Sequence, residues 1–180
     1  MMRVEAMAAS DLDAVLAVQA ACYPPAMREA ADVVLARLAA SPDTVRVARD
    51  ARGVCGYLFA YPSHLGKVTP LGGLFDVAPA ADTLYLHDLA VAPRAAGQGV
   101  ARRLVGAMLA AAAARGCSHS ALVSVQGSRP FWESLGYVAA VGEACGLATY
   151  PDGALYMTRP LRGVVKNKIG NEVLAISSSF

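Results

Sequence analysis

Apolar and polar positions along the chain follow two periods, one close to 3.6 residues and one of 2, and they alternate in blocks that predict helices and strands. Met2 to Met7 reads as a short strand. Ser10 with Asp13 three residues on has the spacing of a capping box, which opens a helix through Leu12, Val15, Leu16 and Gln19. Cys22-Tyr23-Pro24-Pro25 stops it. A second helix carries Ala31, Val34, Leu35 and Leu38 on one stripe and ends at Ser41-Pro42. Thr44 to Arg49 and Val54 to Tyr61 are strand runs, and Asp50-Ala51-Arg52-Gly53 between them predicts a β-hairpin. Pro62 to Asp82, with Gly66, Gly72 and Gly73, is a long loop, and a loop of that length in a compact domain is usually functional or mobile.

Thr83 to Val91 is the next strand. Strict alternation places Tyr85, His87, Leu89 and Val91 on one face and Leu84, Leu86, Asp88 and Ala90 on the other. From Gly99 a helix runs to about Arg115, with Val100, Leu104, Ala107, Met108 and Ala111 at helical spacing and Gly116 as its stop. Ser120 to Val125 is a strand, Ser128 to Leu135 a short helix with Pro130 in its first turn, and Tyr137 to Val141 and Ala154 to Thr158 are the last strands. The order β α α β β β α β α β β predicts an α/β fold, a mixed central β-sheet layered with helices.

Composition narrows the class. With 180 residues, 56% apolar and 17% charged, the chain can bury the core of one domain and lacks the balance of disorder. A net charge of +2 provides no general basic field, so no nucleic-acid partner is expected. The longest apolar run, Leu104 to Ala114, is too short for a membrane span, which needs about 20 residues. Glu5, Asp11 and Asp13 fall where a secretory leader would carry its apolar stretch, so the expected location is cytoplasmic. Cys22, Cys55, Cys117 and Cys145 form no CxxC pair and have no histidine at ligand spacing, which favours free thiols and no metal site.

The domain is assigned to residues 1–162. From 163 to 180 the usage changes: Ile169 and Ile176 are the chain's isoleucines, Asn167 and Asn171 its asparagines, and Lys166 and Lys168 two of its three lysines. This stretch reads as a tail outside the fold, either vector-derived or a flexible native extension.

The strand, turn and helix from Tyr85 to Leu104 carry the candidate chemistry. Arg94-Ala95-Ala96-Gly97-Gln98-Gly99 leaves a strand and opens a helix, and its small residues let backbone approach a bulky anion. The first helical amides lack intrahelical acceptors and sit at the positive end of the dipole, which suits a pyrophosphate. Glycine spacing alone favours a tight connection. Charge sides with the anion: between Leu89 and Trp132 there is no acid but there are five arginines, whereas residues 1–88 carry seven basic and ten acidic side chains.

Leu86-His87-Asp88-Leu89-Ala90-Val91 followed by Arg94-x-x-Gly97-x-Gly99 resembles the acyl-CoA signature of the GNAT superfamily of N-acetyltransferases. Pro130-Phe131-Trp132-Glu133-Ser134-Leu135-Gly136-Tyr137 resembles its second landmark, an aromatic pair on a short helix. Within the superfamily both segments are most similar to the arylalkylamine N-acetyltransferases. The resemblance implies the GNAT fold, with helices on both faces of the sheet, and acetyl-CoA as co-substrate. It also implies that Leu89, Ala90 and Val91 present backbone to the pantetheine arm where two parallel strands splay. Amides from Gly97, Gln98, Gly99, Val100, Ala101 and Arg102 would hold the pyrophosphate, with Arg94 or Arg103 reaching the phosphates, and Ser128 and Phe131 would flank the pantetheine.

Transfer to an amine needs a neutral nucleophile, because an alkylamine is protonated at neutral pH. His87 is the expected base and Tyr85 its neighbour at a position where family members carry a catalytic group; a buried core histidine is the competing reading. Trp132 stands where many members place the tyrosine that protonates the leaving thiolate, and indole cannot do so. The acid is then Tyr85, another tyrosine such as Tyr57, water, or none at all, since CoA thiolate is a good leaving group. Tyr23-Pro24-Pro25, Phe59, Tyr61 and the loop to Asp82 are expected to shape an acceptor pocket, with Asp76 or Asp82 attracting an ammonium. The expected partner is a small-molecule primary amine; a protein N-terminal amine, a polyamine, a non-catalytic acyl-CoA sensor and a homodimeric assembly are the alternatives carried forward.

Overall fold

The computed structural model describes residues 1–140 and 146–161. Val141 and Cys145, and the tail after residue 161, lie outside them. Seven strands form one sheet: β1 (Arg3–Ala6), β2 (Val45–Asp50), β3 (Gly53–Ser63), β4 (Thr83–Val91), β5 (His119–Ser124), β6 (Val138–Ala139) and β7 (Leu155–Pro160). Four α-helices accompany them: α1 (Leu12–Cys22), α2 (Ala31–Ala40), α3 (Val100–Ala114) and α4 (Arg129–Glu133). The sheet order is β1-β2-β3-β4-β5-β7-β6, with β4 and β5 parallel and the other pairs antiparallel. The predicted order of elements is the observed one. No helix among the described residues is long and apolar enough to cross a membrane.

Two apolar layers sandwich the sheet. On one face Leu104, Val105, Met108 and Ala112 of α3 pack with Leu58, Leu84, Leu86 and Leu122. On the other Val15 and Val18 of α1 and Val34 and Leu38 of α2 cover Val45, Tyr57, Phe59 and Tyr61. Leu104 is fully buried, so truncation to alanine should cost about 2–5 kcal/mol. α3 can lie close to the sheet because β3 carries Gly56: a Cβ there would meet the Ala90 carbonyl oxygen at 3.0 Å and a Val100 methyl at 3.1 Å.

Several local expectations change. The first helix is capped one turn early, where the Ala8 amide donates to Asp11 Oδ2 at 3.0 Å, and Ala9–Asp11 forms a 3-10 turn in place of the Ser10 box. On α2 the buried stripe is Val34, Arg37 and Leu38, while Leu35 is exposed. The loop after β3 is packed down, with Val68, Thr69 and Phe75 buried.

The correction that matters most lies in β4. Tyr85 pairs with Tyr61 and Leu86 with Ala60, but Asp88 pairs with Phe59, so His87 is an extra residue, a β-bulge. Beyond it the alternation reverses. Leu89 and Val91 pack toward the α3 layer, and Tyr85 and Ala90 belong to the α1/α2 layer. The expected face of Tyr85, His87, Leu89 and Val91 is therefore split, and Asp88 joins Tyr85 and His87.

Candidate active site

β4 and β5 pair from Thr83–His119 to Leu86–Leu122 and no further, although both strands continue. The strands splay there and open a cleft of about 300 Å³. Its walls are Leu86 to Val91 of β4, Leu122 and Val123 of β5, Ala101 of α3, and Phe131 and Trp132 of α4. Cys22 and Tyr23 at the end of α1 close one side, and Val125, Gln126 and Ser128 another. Gln126 adopts φ +52°, an uncommon non-glycine conformation that aims the turn after β5 at the cleft.

The turn between β4 and α3 follows a 3-10 turn at Pro93–Ala95. Gly97 and Gly99 both have φ +75°, a left-handed conformation that disfavours any Cβ. The first bond closing α3 runs from the Arg103 amide to the Gly99 carbonyl (3.1 Å), so the amides of Val100, Ala101 and Arg102 precede the helical ladder. Gly97, Gln98, Gly99 and Arg102 are exposed, whereas the Val100 side chain is buried in the core. Arg94 is engaged elsewhere: it pairs with Asp50 and donates to the Val54 carbonyl at 3.0 Å, fastening the β2–β3 hairpin. Arg102 lies over the Phe131 ring and donates to Ser134 Oγ at 2.7 Å, which ties α3 to α4. Ser128 Oγ lies 3.0 Å from Ser124 Oγ.

On the open edge of β4, the Leu89 carbonyl is 2.9 Å from the Tyr23 hydroxyl and the Val91 carbonyl accepts from Cys22 Sγ at 3.2 Å. Both backbone acceptors are met by side chains at the end of α1 rather than by a neighbouring strand.

The titratable groups gather where β4 bulges. Asp88 accepts from the hydroxyls of Tyr23 (2.8 Å) and Tyr57 (2.9 Å). Burial raises its carboxyl above the ordinary value, against the lowering effects of His87 and those two hydroxyls. Burial and Asp88 together push Tyr23 and Tyr57 well up. His87 lines the cleft with a side chain only 2% exposed. Burial, and after it the Arg37 guanidinium, lowers its pKa to about 3, so it rests as neutral imidazole. His87 Nε2 lies 3.2 Å from Glu29 Oε1, and Nδ1 is buried with no partner among the described residues. Glu29 in turn forms a buried ion pair with Arg37, and losing one partner of such a pair typically costs about 3–5 kcal/mol.

The structure brings His87, Leu89, Ala90, Val91, Ala101, Ser128 and Phe131 to one cleft and does not bring Tyr85 to it. The Tyr85 hydroxyl is buried without a partner among the described residues; the neighbouring Tyr150 hydroxyl donates to the Thr69 carbonyl at 2.7 Å. Phe59 and Tyr61 are core, Asp76 pairs with Lys67, and Asp82 accepts from the Leu65 amide and Thr83, so none of these shapes the cleft. Tyr23 does, and the acid in the cleft is Asp88. Glu29, Arg37 and Gln19 were not picked out from sequence. Cys22, Cys55 and Cys117 are free thiols, and no cluster of metal-ligating side chains occurs among the described residues.

An open parallel pair beside a glycine turn at a helix start defines an acyl-CoA transferase architecture. The profile of the Acetyltransferase (GNAT) family matches residues 12–137, and the chain belongs to that family. It is thus an enzyme of the GNAT acetyltransferase class, with acetyl-CoA as co-substrate. No curated protein matches the sequence. Among solved structures the GphF GNAT-like decarboxylase in complex with isobutyryl-CoA superposes with TM-score 0.74 at 21% identity, covering 89% of this chain and 100% of that one. The ribosomal-protein-S18-alanine N-acetyltransferase of Escherichia coli gives TM-score 0.67 at 16% identity, covering 93% and 98%. Arabidopsis thaliana Naa50 in complex with the bisubstrate analogue CoA-Ac-MVNAL gives 0.65 at 13%, covering 88% and 97%. At these identities the likeness is one of fold.

Proposed function

We propose that the protein transfers the acetyl group of acetyl-CoA to a primary amine by direct attack in a ternary complex. The observation that carries this reading is the placement of Asp88 and His87, both in the wall of the cleft where β4 and β5 part. Asp88 is the anionic group there and attracts the ammonium form of the acceptor. The bound ammonium first gives one proton to solvent; the neutral nitrogen then bonds to the thioester carbonyl carbon as the C–S bond breaks, and the second proton, now on an acidic nitrogen, passes to neutral His87. CoA leaves as thiolate. Tyr23 commits its one hydroxyl proton to Asp88 or the Leu89 carbonyl, and burial with the Asp88 charge raises its pKa, which makes it a poor proton source for the thiolate.

In this reading the pantetheine arm takes the open edge at Leu89 and Val91, between Ala101, Ser128 and Phe131, and the amides from Gly97 to Arg102 hold the pyrophosphate. Arg94 is reserved for the hairpin and Arg102 for its tie to Ser134 and Phe131, which leaves Arg103 for the phosphates. The arylalkylamine-type assignment rests on the two sequence segments alone, because the aromatics expected around such an acceptor, Phe59 and Tyr61, are core residues.

A panel of primary amines, a polyamine and an N-terminal peptide, each with acetyl-CoA and free-thiol detection, tests the proposal. Thiol release matched by acetylated small amine supports it, and peptide acetylation alone reassigns the acceptor. Tight acetyl-CoA binding with no thiol release from any acceptor would establish a sensor instead.

A further inference from the structure

We infer that Glu29 is a positioning residue for His87, holding the imidazole as its Nε2–H tautomer and leaving Nδ1 as the atom that accepts the proton. The positioning role rests on the reading of His87 as base given above; the tautomer follows from a count of protons. Glu29 is an ionised partner of Arg37, both side chains being buried, at 7% and 1% exposure. Its other oxygen, Oε1, accepts from the Gly72 amide at 3.2 Å and lies 3.2 Å from His87 Nε2. A carboxylate oxygen so engaged has only lone pairs to offer, so Nε2 must carry the hydrogen. A neutral imidazole has one N–H, and Nδ1 is therefore the bare acceptor, buried and unpartnered among the described residues.

The surrounding residues fix this carboxylate on every side. Gln19, buried on α1, clamps the Glu29 backbone in both directions: its Oε1 accepts from the Glu29 amide at 2.6 Å and its Nε2 donates to the Glu29 carbonyl at 3.1 Å. Arg37 also donates to the Gly73 carbonyl (2.9 Å from Nε) and stacks on Phe75, which meets the His87 ring edge to face at 5.6 Å. The segment before α2, α2 itself and the loop after β3 thus converge on one imidazole. The charged and titratable groups facing it are Glu29 and Arg37 from that side, Asp88 and Tyr85 from β4, and Tyr61 of β3 and Tyr150 through Arg37 and Tyr85. When His87 takes the proton, Glu29 and Asp88 are the carboxylates that face the new charge.

The test uses the intact chain with nitrogen-15-labelled histidine; there are three histidines, and the His87 signal is assigned by its loss in His87→Gln. The expected spectrum between pH 6 and 8 shows Nε2 protonated and Nδ1 bare. Glu29→Gln should mix or invert the tautomers and lower kcat about tenfold or more, within the range of general-base assistance, while the acetyl-CoA KM stays put. Glu29→Asp should restore part of both. A protonated Nδ1 in the wild-type spectrum overturns the inference whether or not Glu29→Gln folds, and so does a Glu29→Gln variant with unchanged tautomer and kcat. Full activity in His87→Gln removes the base reading and with it the positioning role, while the tautomer is still read directly from the wild type.

Discussion

The hydroxyl of Tyr23, at the end of α1, lies 2.8 Å from Oδ1 of Asp88, and that contact exists because β4 carries one residue too many. Without the bulge at His87, Asp88 would face the α3 layer, and the cleft would lack an acid. The same hydroxyl is 2.9 Å from the Leu89 carbonyl, so one side chain touches both the edge expected to hold pantetheine and the group expected to hold the acceptor. A phenol has one proton for these two acceptors.

Asp88→Asn should raise the amine KM far more than the acetyl-CoA KM, since only the acceptor needs the charge. Its effect on stability has the opposite sense. Burial raises the folded carboxyl pKa, so the folded chain holds that proton more tightly than the unfolded chain does. The resulting stability is complete below the ordinary carboxyl value near 4 and is lost as pH rises through the folded value. Thermal melts across that window should therefore decline less steeply in Asp88→Asn than in the wild type.

His87 predicts the reverse slope. Its pKa falls from the ordinary 6.5 to about 3, so its contribution is full above pH 6.5 and is lost as pH falls toward 3. The wild type should lose up to about 1.4 kcal/mol per pH unit from this group in that window. Denaturant titrations of His87→Gln should show that part of the slope removed. Activity that rises with pH above neutrality then follows the acceptor amine's loss of its proton and not His87.

Gly99→Val should weaken acetyl-CoA binding and also destabilise the free protein. No atom would meet the new Cβ within 4 Å, but φ +75° is costly for a branched residue, about 1–2 kcal/mol. Gly99→Asn, which tolerates that conformation better, should retain more stability. Calorimetry for affinity and thermal melts for stability separate the two effects.

Trp132 is 7% exposed, lines the cleft and packs edge to face on Phe131 (4.9 Å) and Tyr137 (5.5 Å). That is the setting of an apolar wall. Trp132→Tyr should raise KM and leave the shape of the pH profile unchanged. A new acid limb with higher turnover would show that a phenol there reaches the leaving sulfur.

The element order and the glycine turn were legible because they are local: periodicity, proline stops and left-handed glycines leave marks within a few residues. The bulge leaves none. One extra residue in Tyr85-Leu86-His87-Asp88-Leu89 does not alter composition, yet it reverses every face after it. Glu29 precedes α2 in a segment without periodicity, and its partner His87 is 58 residues away. Arg37 reads as the polar side of α2 and is instead buried because Glu29 and Gly73 satisfy it. Arg94 fits the phosphate motif by spacing, and only the fold shows Asp50 beside it.

Transfer at the splay of β4 and β5 is tested most directly by the turnover of His87→Gln with saturating acetyl-CoA and the best amine of the panel at neutral pH. Loss of about a hundredfold in kcat, with an acetyl-CoA KM like that of the wild type, is the predicted result for a base in the wall of the cleft. A kcat matching the wild type's would contradict it and leave His87 as a core residue.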